Sequence, residues 1–462
     1  MKYKNLNLKY ALVNAAYLML VCATAGYAYN FLTKNGFDSG TVGIIIAVIS
    51  VCGIIGQTVF GSIIDKSERL DEKMFISLSM VLTGMLSVFL MLAPSSSALM
   101  IALVVVCFTS ASIGMPFLNS MAFIYEKDGQ TINYGLGRGI GSAAYAVGSA
   151  LLGQLWGRFG KGILPIYILV FAIITLVFVR LMPQPDAALE ERVQHEQAGE
   201  KKASLSYIQF FQKYSNLILP VIGMILLYFC HMIINTFAAE VVAKVIGSNA
   251  AAVDGAVESV QGTALFIQAM AELPTMFLFS LILKKVDIKK ILIFAAFAYS
   301  VKHIAIWLCP NTYVLYGSMI LQMFSYAILV PGSVYYANQS VAEEDRNKGQ
   351  AIFGATVTVG GLLASLIGGQ LLNITNISIV LLIGVIASLC GTALIFFALG
   401  PKDLFQKKPQ AAPVEAAAPV EAAAPVEVTP EASTPAPAEI TLEMPEETPA
   451  EPDAPVSEDK EQ

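Results

Sequence analysis

The chain has 462 residues, of which 56% are hydrophobic and only 13% charged, with a mean hydropathy of +0.66. A soluble domain carries about 25% charged residues, so the bulk of this chain is suited to lipid and a soluble enzyme is excluded. The formal charge of −6 is unevenly divided, because residues 401–462 hold 4 Lys/Arg and 14 Asp/Glu, a net of −10, which leaves the rest at +4.

Spanning a bilayer takes roughly 20 apolar residues at 1.5 Å each, against a hydrocarbon core of about 30 Å. Runs of that kind fall at 8–32, 39–64, 73–93, 97–125, 135–157 and 162–182. A charged stretch from Pro183 to Tyr214 follows, and six more runs lie at 215–245, 258–283, 291–309, 313–338, 349–373 and 377–400. The pattern predicts an all-α polytopic membrane protein of about twelve helices. Two six-helix halves, 1–182 and 215–400, are joined by a hinge over 183–214. From residue 401 the sequence is Ala/Pro/Glu-rich; its prolines forbid a helix and its few large apolar residues forbid a core. A disordered acidic tail over 401–462 is expected there. The first run is too long for a secretory h-region and lacks an A-x-A site, so no cleaved leader is expected.

Lysine and arginine collect in alternate connections. Lys2, Lys4 and Lys9 precede the first run, and Lys66, Arg69 and Lys73 follow the second. Lys201, Lys202 and Lys213 lie in the hinge, Lys284, Lys285, Lys289 and Lys290 follow the eighth run, and Arg346 and Lys348 follow the tenth. The opposite connections hold little beyond Lys34, Arg158, Lys161 and Lys244. The positive-inside rule therefore places both termini and the hinge in the cytoplasm, and the excess of base suits a surface of anionic lipid. With no basic stripe, nucleic acid is excluded as a partner.

The six cysteines (Cys22, Cys52, Cys107, Cys230, Cys309 and Cys390) stand singly in apolar runs without CxxC or Cys/His spacing. They read as small apolar residues, and no disulfide or metal site is expected. No nucleophile–base arrangement, metal cluster or phosphate loop stands out, so no catalytic residue and no cofactor is expected. The halves echo one another. Gly148-Ser-Ala-Leu-Leu-Gly-Gln-Leu155 in the fifth run matches Ala364-Ser-Leu-Ile-Gly-Gly-Gln-Leu371 in the eleventh, and Phe60–Lys66 in the second matches Phe279–Lys285 in the eighth. Repeats of this kind put a binding site at mid-membrane between the halves.

Between the second and third runs stands Gly61-Ser-Ile-Ile-Asp65-Lys66. Gly61 would let two helices approach, and Asp65 at a helix end would pair with a cation or a facing helix N-terminus. In this position G-x-x-x-D-[RK] resembles the gating loop of the major facilitator superfamily, without the glycine that usually follows the basic residue. Further stretches are similar to the lactose permease group of oligosaccharide–proton symporters. These are Gly40–Ser50, Phe60-Gly61 with Asp65-Lys66, Tyr134-Gly135-Leu-Gly-Arg138, Ala271-Glu272-Leu273, Ser300-Val-Lys302 and Leu321-Gln322-Met-Phe324.

Ionisable groups at membrane depth cost roughly 2.5–3.5 kcal/mol even on insertion scales, and are functional candidates by default. Arg138 lies just inside the fifth run, where its fork could bind hydroxyl or carboxyl oxygens bidentately; the resemblance makes it the sugar-binding arginine. Tyr145, seven residues on and on the same face, matches a tryptophan that stacks on the sugar in that group. The carboxylate that pairs with the arginine there falls at Ser120 here. Glu272, followed by Pro274, matches a carboxylate with sugar-binding and proton-handling roles, and Lys302 matches an arginine. A direct Glu272–Lys302 ion pair would let both sit in low dielectric, and a static pair that only fixes helix packing is the alternative. His303 beside it is expected to face a neighbouring helix. Asn14 and Tyr17 in the first run are weaker additions to the binding set. The proton-coupling histidine and glutamate of the group fall at Gln322 and Ser325, and the eleventh run offers only glycines around Gly360 and Gly361. Gln322 joins the binding set. Proton coupling would have to use Glu272, Glu240 or His231; His231, Asn235 and Glu240 recur at roughly helical intervals along one run.

The resemblance implies a monomeric secondary transporter that moves a small polar solute, first a saccharide or glycoside and then a nucleoside, by alternating access with protons. Two other readings stay open: an exporter of drugs or metabolites, whose apolar cavity would tolerate loss of Lys302, and a non-transporting receptor or scaffold that works through its acidic tail. Deletion of residues 409–462 is expected to leave both solute flux and phenotype unchanged, which argues against the scaffold; an altered phenotype with unchanged flux would make the tail the working part.

Overall fold

The computed structural model describes residues 3–66, 70–125, 129–184 and 206–399, with all side chains there except those of Asp65, Lys66, Ser280 and Asn347. The charged middle of the hinge, residues 67–69 and the acidic tail lie outside the described residues. The first half comprises α1 (Leu6–Gly26), α2 (Ala28–Lys34), α3 (Ser39–Lys66), α4 (Glu72–Leu92), α5 (Ala98–Ser120), α6 (Tyr134–Phe159) and α7 (Ile163–Leu181). The second comprises α8 (Tyr207–Lys213), α9 (Ile218–Thr236), α10 (Ala238–Ile246), α11 (Ser248–Ala251), α12 (Ala256–Lys285) and α13 (Ile288–Trp307). It is completed by α14 (Thr312–Ile320), α15 (Tyr326–Ser340), α16 (Arg346–Ile374) and α17 (Ile377–Leu399).

Among the described residues, eleven segments are long and apolar enough to cross a bilayer. The twelfth, α6, spans 26 residues, but its glycines, Arg138 and Arg158 dilute its hydropathy. Helix starts follow local chemistry. Asp71, Ser97, Asn133 and Asn311 each accept the backbone N–H three residues on, which satisfies donors a helix end leaves orphaned. Large apolar side chains such as Leu82, Met85 and Phe89 on α4 stay exposed; spaced on one helix face, they form a lipid-facing surface rather than a mispacked core.

Three predicted runs are broken rather than continuous. The first breaks at Tyr27 and the seventh at Phe237, each leaving the helical backbone between two helices. These are corresponding spans of the two halves. The tenth breaks at Ser325 (φ −110°, ψ −91°), after a 3-10 turn over Leu321–Phe324. There the Ser325 hydroxyl donates to the Leu321 carbonyl at 3.0 Å, a side-chain competitor to the helical ladder.

Within the first half α1 packs on α5, α6 and α7, and α4 on α5 and α7; within the second, α9 packs on α16 and α17, and α13 on α15 and α17. Between halves the main contacts are α3 with α16 and α6 with α12, the second span with the eleventh and the fifth with the eighth. Those are the spans in which the sequence echoes lie. Both contacts are tight at one end, and α3 and α16 part at the other, whereas α6 and α12 still touch there, with Gly139 against the Phe277 ring. A Cβ on Gly369 would stand 2.7 Å from the Ser39 carbonyl, and one on Gly262 would stand 2.7 Å from the Tyr27 hydroxyl. At the other end, a Cβ on Gly61 of α3 or Gly354 of α16 would meet no atom within 4 Å. The close approach expected at Gly61 is therefore absent, because the halves are splayed there. Gly43 of α3 lies against the backbone of Ser365 and Gly369.

Polar contacts reinforce the sealed end. Asn373 of α16 accepts from the Gly40 amide at 3.0 Å and donates to Asp38, and hydrogen bonds from Thr41 and Asn373 hold the Asp38 carboxyl well below the usual carboxylate range. Near the open end Lys213 lies 2.8 Å from Asp345, and Tyr214 donates to the same carboxylate at 2.8 Å. That hydrogen bond from Lys213 to Asp345 holds the ammonium above the usual lysine range and fastens the last residues of the hinge to the second half. Gly43→Val should weaken the sealed arrangement by about 1–3 kcal/mol of overpacking. Spin-label distances across the sealed end should then show a second, wider population, and an unchanged distribution would count against the glycine seam as the determinant of closure.

Candidate functional site

A cavity of about 620 Å³ lies between the halves and is lined by α1, α3, α5 and α6 on one side and α9, α12, α15 and α16 on the other. Its polar wall begins with Arg138 and Tyr145 of α6, which the seven-residue spacing places on one face, joined by Ser142 between them. The Arg138 Nη1 atom is buried and has no hydrogen-bond partner, so one arm of the fork is free for a ligand.

The facing wall carries Glu272, Gln322, Gln268, Asn235, His231 and Tyr326. The sequence suggests a direct Glu272–Lys302 ion pair, but the structure places an amide between them. Gln322, fully buried in the 3-10 turn of the broken tenth span, accepts from the Lys302 ammonium through Oε1 and donates to Glu272 Oε1 at 2.7 Å through Nε2. The physical reason is reach: Gln322 occupies the space at the helix break that a direct pair would need. A cation on one side and an anion on the other leave the amide only one sensible orientation. Lys302 also reaches Gln268 Oε1 at 3.5 Å; Gln268 donates to Asn235 Oδ1 at 3.2 Å, and Asn235 Nδ2 meets His231 Nε2 at 2.9 Å. Glu272, Gln322, Lys302, Gln268, Asn235 and His231 thus form one continuous hydrogen-bonded chain. Arg138 completes it electrostatically, close enough across the cavity for a Coulombic interaction with Glu272. His231 stacks on Tyr326, with ring centroids 5.1 Å apart at 26°.

Several candidates sit elsewhere. Asn14 is fully buried under Gly137 and Gly141 of α6, where its Nδ2 bonds the Tyr10 carbonyl at 3.0 Å. Tyr17 is fully buried and donates to the Ala111 carbonyl of α5 at 2.6 Å. Both hold α1 against its neighbours and neither lines the cavity, because the face of α1 that carries them points into the first half. Lys302 is fully buried behind the wall, one hydrogen bond from the cavity. Glu240 lies past the Phe237 break, on α10, where it accepts from Tyr29 of the first half at 2.9 Å; it belongs to the sealed end. His303 faces α17, with Nδ1 2.8 Å from the Ser388 hydroxyl. Ser120 bonds its own Phe117 carbonyl at 3.1 Å. The side chains of Asp65 and Lys66 lie outside the described residues. Gln268, Tyr326 and Ser142 were not singled out, although Gln268 precedes Glu272 by four residues and Ser142 follows Arg138 by four, the spacing of one helix face. No group of three or more metal-ligating side chains occurs among the described residues.

Broken helices around a polar cavity at mid-depth, closed at one end, in a body of two packed helical halves, define a multi-pass membrane transporter of major-facilitator type. A family model described as the MFS_1 like family matches residues 9–382. The chain belongs to that family. Its structure is similar to the nucleoside transporter NupG, with a TM-score of 0.69 and 15% identity over 87% of this chain and 100% of that one. It is similar to a bacterial homologue of the human lysosomal transporter Spinster in an inward-facing, unoccupied conformation, with a TM-score of 0.61 and 14% identity over 85% and 96%. The peptide transporter POT bound to alafosfalin follows with 0.59 and 12% over 84% and 93%. At these identities the likeness is one of fold. None of the curated proteins matches the chain.

Gln322→Leu would leave the Lys302 ammonium and the Glu272 carboxylate without their bridge. Hydrogen bonds to charged groups are worth about 1.5–3 kcal/mol each, so a loss of that order in stability is expected, read as a lower midpoint of thermal unfolding in detergent. An unchanged midpoint would show that the bridge carries no folding energy.

Proposed function

We propose that this protein is a secondary active transporter that moves a small hydroxyl-rich solute, a saccharide or glycoside, by alternating access coupled to protons. One observation carries the reading: a cavity sealed at one end, with the Arg138 fork on the wall of one half and the Glu272–Gln322–Lys302 relay on the wall of the other. A solute with several hydroxyls would accept from Arg138 and donate to Glu272 at once, and so bridge the halves. The volume lies within the usual range of about 300–1,000 Å³ for small-molecule sites, and Tyr145 offers a flat apolar face to a sugar ring. The same division fits two rigid bodies, 1–182 and 215–400, that rock about the site with 183–214 as hinge. With both termini in the cytoplasm of a bacterial-type cell, as the lysine distribution implies, the sealed end faces outward and the structure is the inward-facing state of a monomer in the cytoplasmic membrane.

A nucleoside is the second reading, favoured by the stacked His231–Tyr326 pair in the cavity wall, against which a base could lie, and by the likeness to NupG. Proton exchange would fall to Glu272 or His231, the titratable groups of the wall, rather than to Glu240.

A thermal-stability screen of the purified protein against saccharides, nucleosides and organic anions separates these readings. A true substrate at about 100 times its Kd should stabilise by roughly 2.7 kcal/mol, and Arg138→Ala should abolish the shift. Glu272→Gln should remove uphill accumulation while the protein stays folded. Shifts confined to apolar or anionic compounds would overturn the saccharide reading in favour of an exporter, and retained accumulation in Glu272→Gln would remove that residue from coupling.

A further inference from the structure

The sealed end buries a carboxylate that the cavity does not use. Glu258, in the first turn of α12, is 1% exposed, and it faces Asn30 of α2, 2% exposed. The donors around it are already engaged. Gln261 Nε2 donates to the Gly26 carbonyl at 2.8 Å, which turns Gln261 Oε1 toward Asn30; Asn30 Nδ2 donates to that oxygen at 2.7 Å and, at 3.4 Å, to Glu258 Oε1. This chain fixes the orientation of the Asn30 amide. Two buried acceptors, Glu258 Oε2 and Asn30 Oδ1, are left with no partner.

The charged and titratable neighbours do not supply one. Lys34 of α2 pairs with Asp254 at 3.7 Å, and Lys161, which leads into α7, donates to the Lys34 carbonyl at 3.0 Å and to Asn35 Oδ1 at 2.9 Å. Lys244 of α10 donates to the Trp307 carbonyl, Glu240 accepts from Tyr29, and the Tyr27 hydroxyl donates to the Ser149 carbonyl at 2.7 Å. Arg158 of α6 is exposed. The N-terminus of α12 favours a carboxylate but supplies no hydrogen-bonded or ionic partner for the buried oxygen. Nor does it satisfy Asn30 Oδ1.

We propose that Glu258 and Asn30 form a binding site for a small cation, a proton or a sodium ion, which is held while the two halves are closed at this end and released when they part. Two orphaned acceptors on adjoining side chains lack the same thing, a positive partner. A proton on Glu258 Oε2 removes the charge and leaves an O–H to donate to Asn30 Oδ1, and a sodium ion shared by the two oxygens compensates the charge directly. Opening the seam would hydrate both groups and return the cation to the outer side. Because it binds one conformation better, the cation shifts the equilibrium toward that conformation by its differential affinity. The proposal rests on the alternating-access reading and adds to it a coupling site in the sealed seam, outside the residues that line the cavity.

The test needs no solute. The chain has two tryptophans; Trp156 is fully buried, stacks on Tyr27 at 6.0 Å and adjoins Gly157, which packs on Gly255 across the seam. In the full-length protein carrying Trp307→Phe, Trp156 emission is titrated with sodium chloride against choline chloride at fixed pH, and with pH from about 5 to about 9 in choline alone. The native residue at 258 should give a saturable response to one of the two, and that arm identifies the cation. Glu258→Gln should abolish the response and Asn30→Ala should weaken it by about 10–100-fold, the size expected for loss of a supporting ligand. Asp254→Asn, at the same end, should leave it unchanged. If Glu258→Gln does not fold, Glu258→Asp keeps the charge and should displace the midpoint. A response that survives in Glu258→Gln, or a native protein silent to both cations, overturns the site. The solute screen stands or falls separately, because it reads the cavity and not the seam.

Discussion

Lipid does not solvate charge, and the second half of this protein is built around that constraint. A fully buried ammonium at Lys302 would be among the costliest features of the chain if it stood alone. It is compensated through Gln322, whose amide takes the ammonium on its oxygen and offers its nitrogen to Glu272 at 2.7 Å. The bridge does more than neutralise. A direct ion pair would bury both charges together and leave the cavity apolar, whereas an inserted amide lets the carboxylate stand in the cavity wall while its counter-charge stays out of reach. The cost is a helix interrupted at Ser325, and unpaired backbone of that kind is tolerated at membrane depth only where protein or a cavity lies beside it. Gln322 occupies that interruption.

Closure at one end depends on glycine in the same way. Gly43 against Gly369 and Gly153 against Gly262 bring backbone onto backbone, and the side-chain contacts of Tyr29, Asn30 and Asn373 stand beside that seam. Dispersion at such short range is collectively strong. A seam of leucines would hold more tightly and release at greater cost.

The helices were legible because lipid imposes length and hydropathy on them; the echoes mark the four spans that form the seam, although the seam pairs the second with the eleventh and the fifth with the eighth rather than each span with its echo. Arg138 and Glu272 were picked out by membrane depth and resemblance, Tyr145 by its spacing from Arg138 and the same resemblance, and all three line the cavity. Asn14 and Tyr17 were misplaced for a definite reason: a polar residue in a span points either to a cavity or to a neighbouring helix, and only the packing of α1 against α5 and α6 settles which. The breaks at Phe237 and Ser325 left no signal, since neither adjoins glycine or proline, and the break at Tyr27 is marked only by the preceding Gly26. Gln322 was read as a lost titratable group and as part of the binding set, and its role as a connector becomes visible only when Lys302 and Glu272 are seen on either side of it.

The apolar core records which way the molecule is closed. One buried cluster runs through the first half, from Leu6 to Met182, and continues into the second through Phe229, Val257, Leu315, Ala364 and Leu381. A second, around Phe210, Tyr228, Leu292, Tyr299 and Phe353, is confined to the second half. At the sealed end the two halves therefore share one core, and toward the open end the second half has a core of its own. Under the alternating-access reading, reversal would cut the first cluster along the glycine seam and bring the second against the first half. Between the two clusters stand Arg138 on one wall and the Glu272–Gln322–Lys302 relay on the other, where a molecule bound in the cavity would touch both halves. A ligand there biases the exchange by what it gains in one arrangement over the other and by nothing else. The buried polar groups at the seam and the charged relay in the cavity are accordingly two ends of one balance, the first set by what the halves bury when they meet and the second by what they hold when they move.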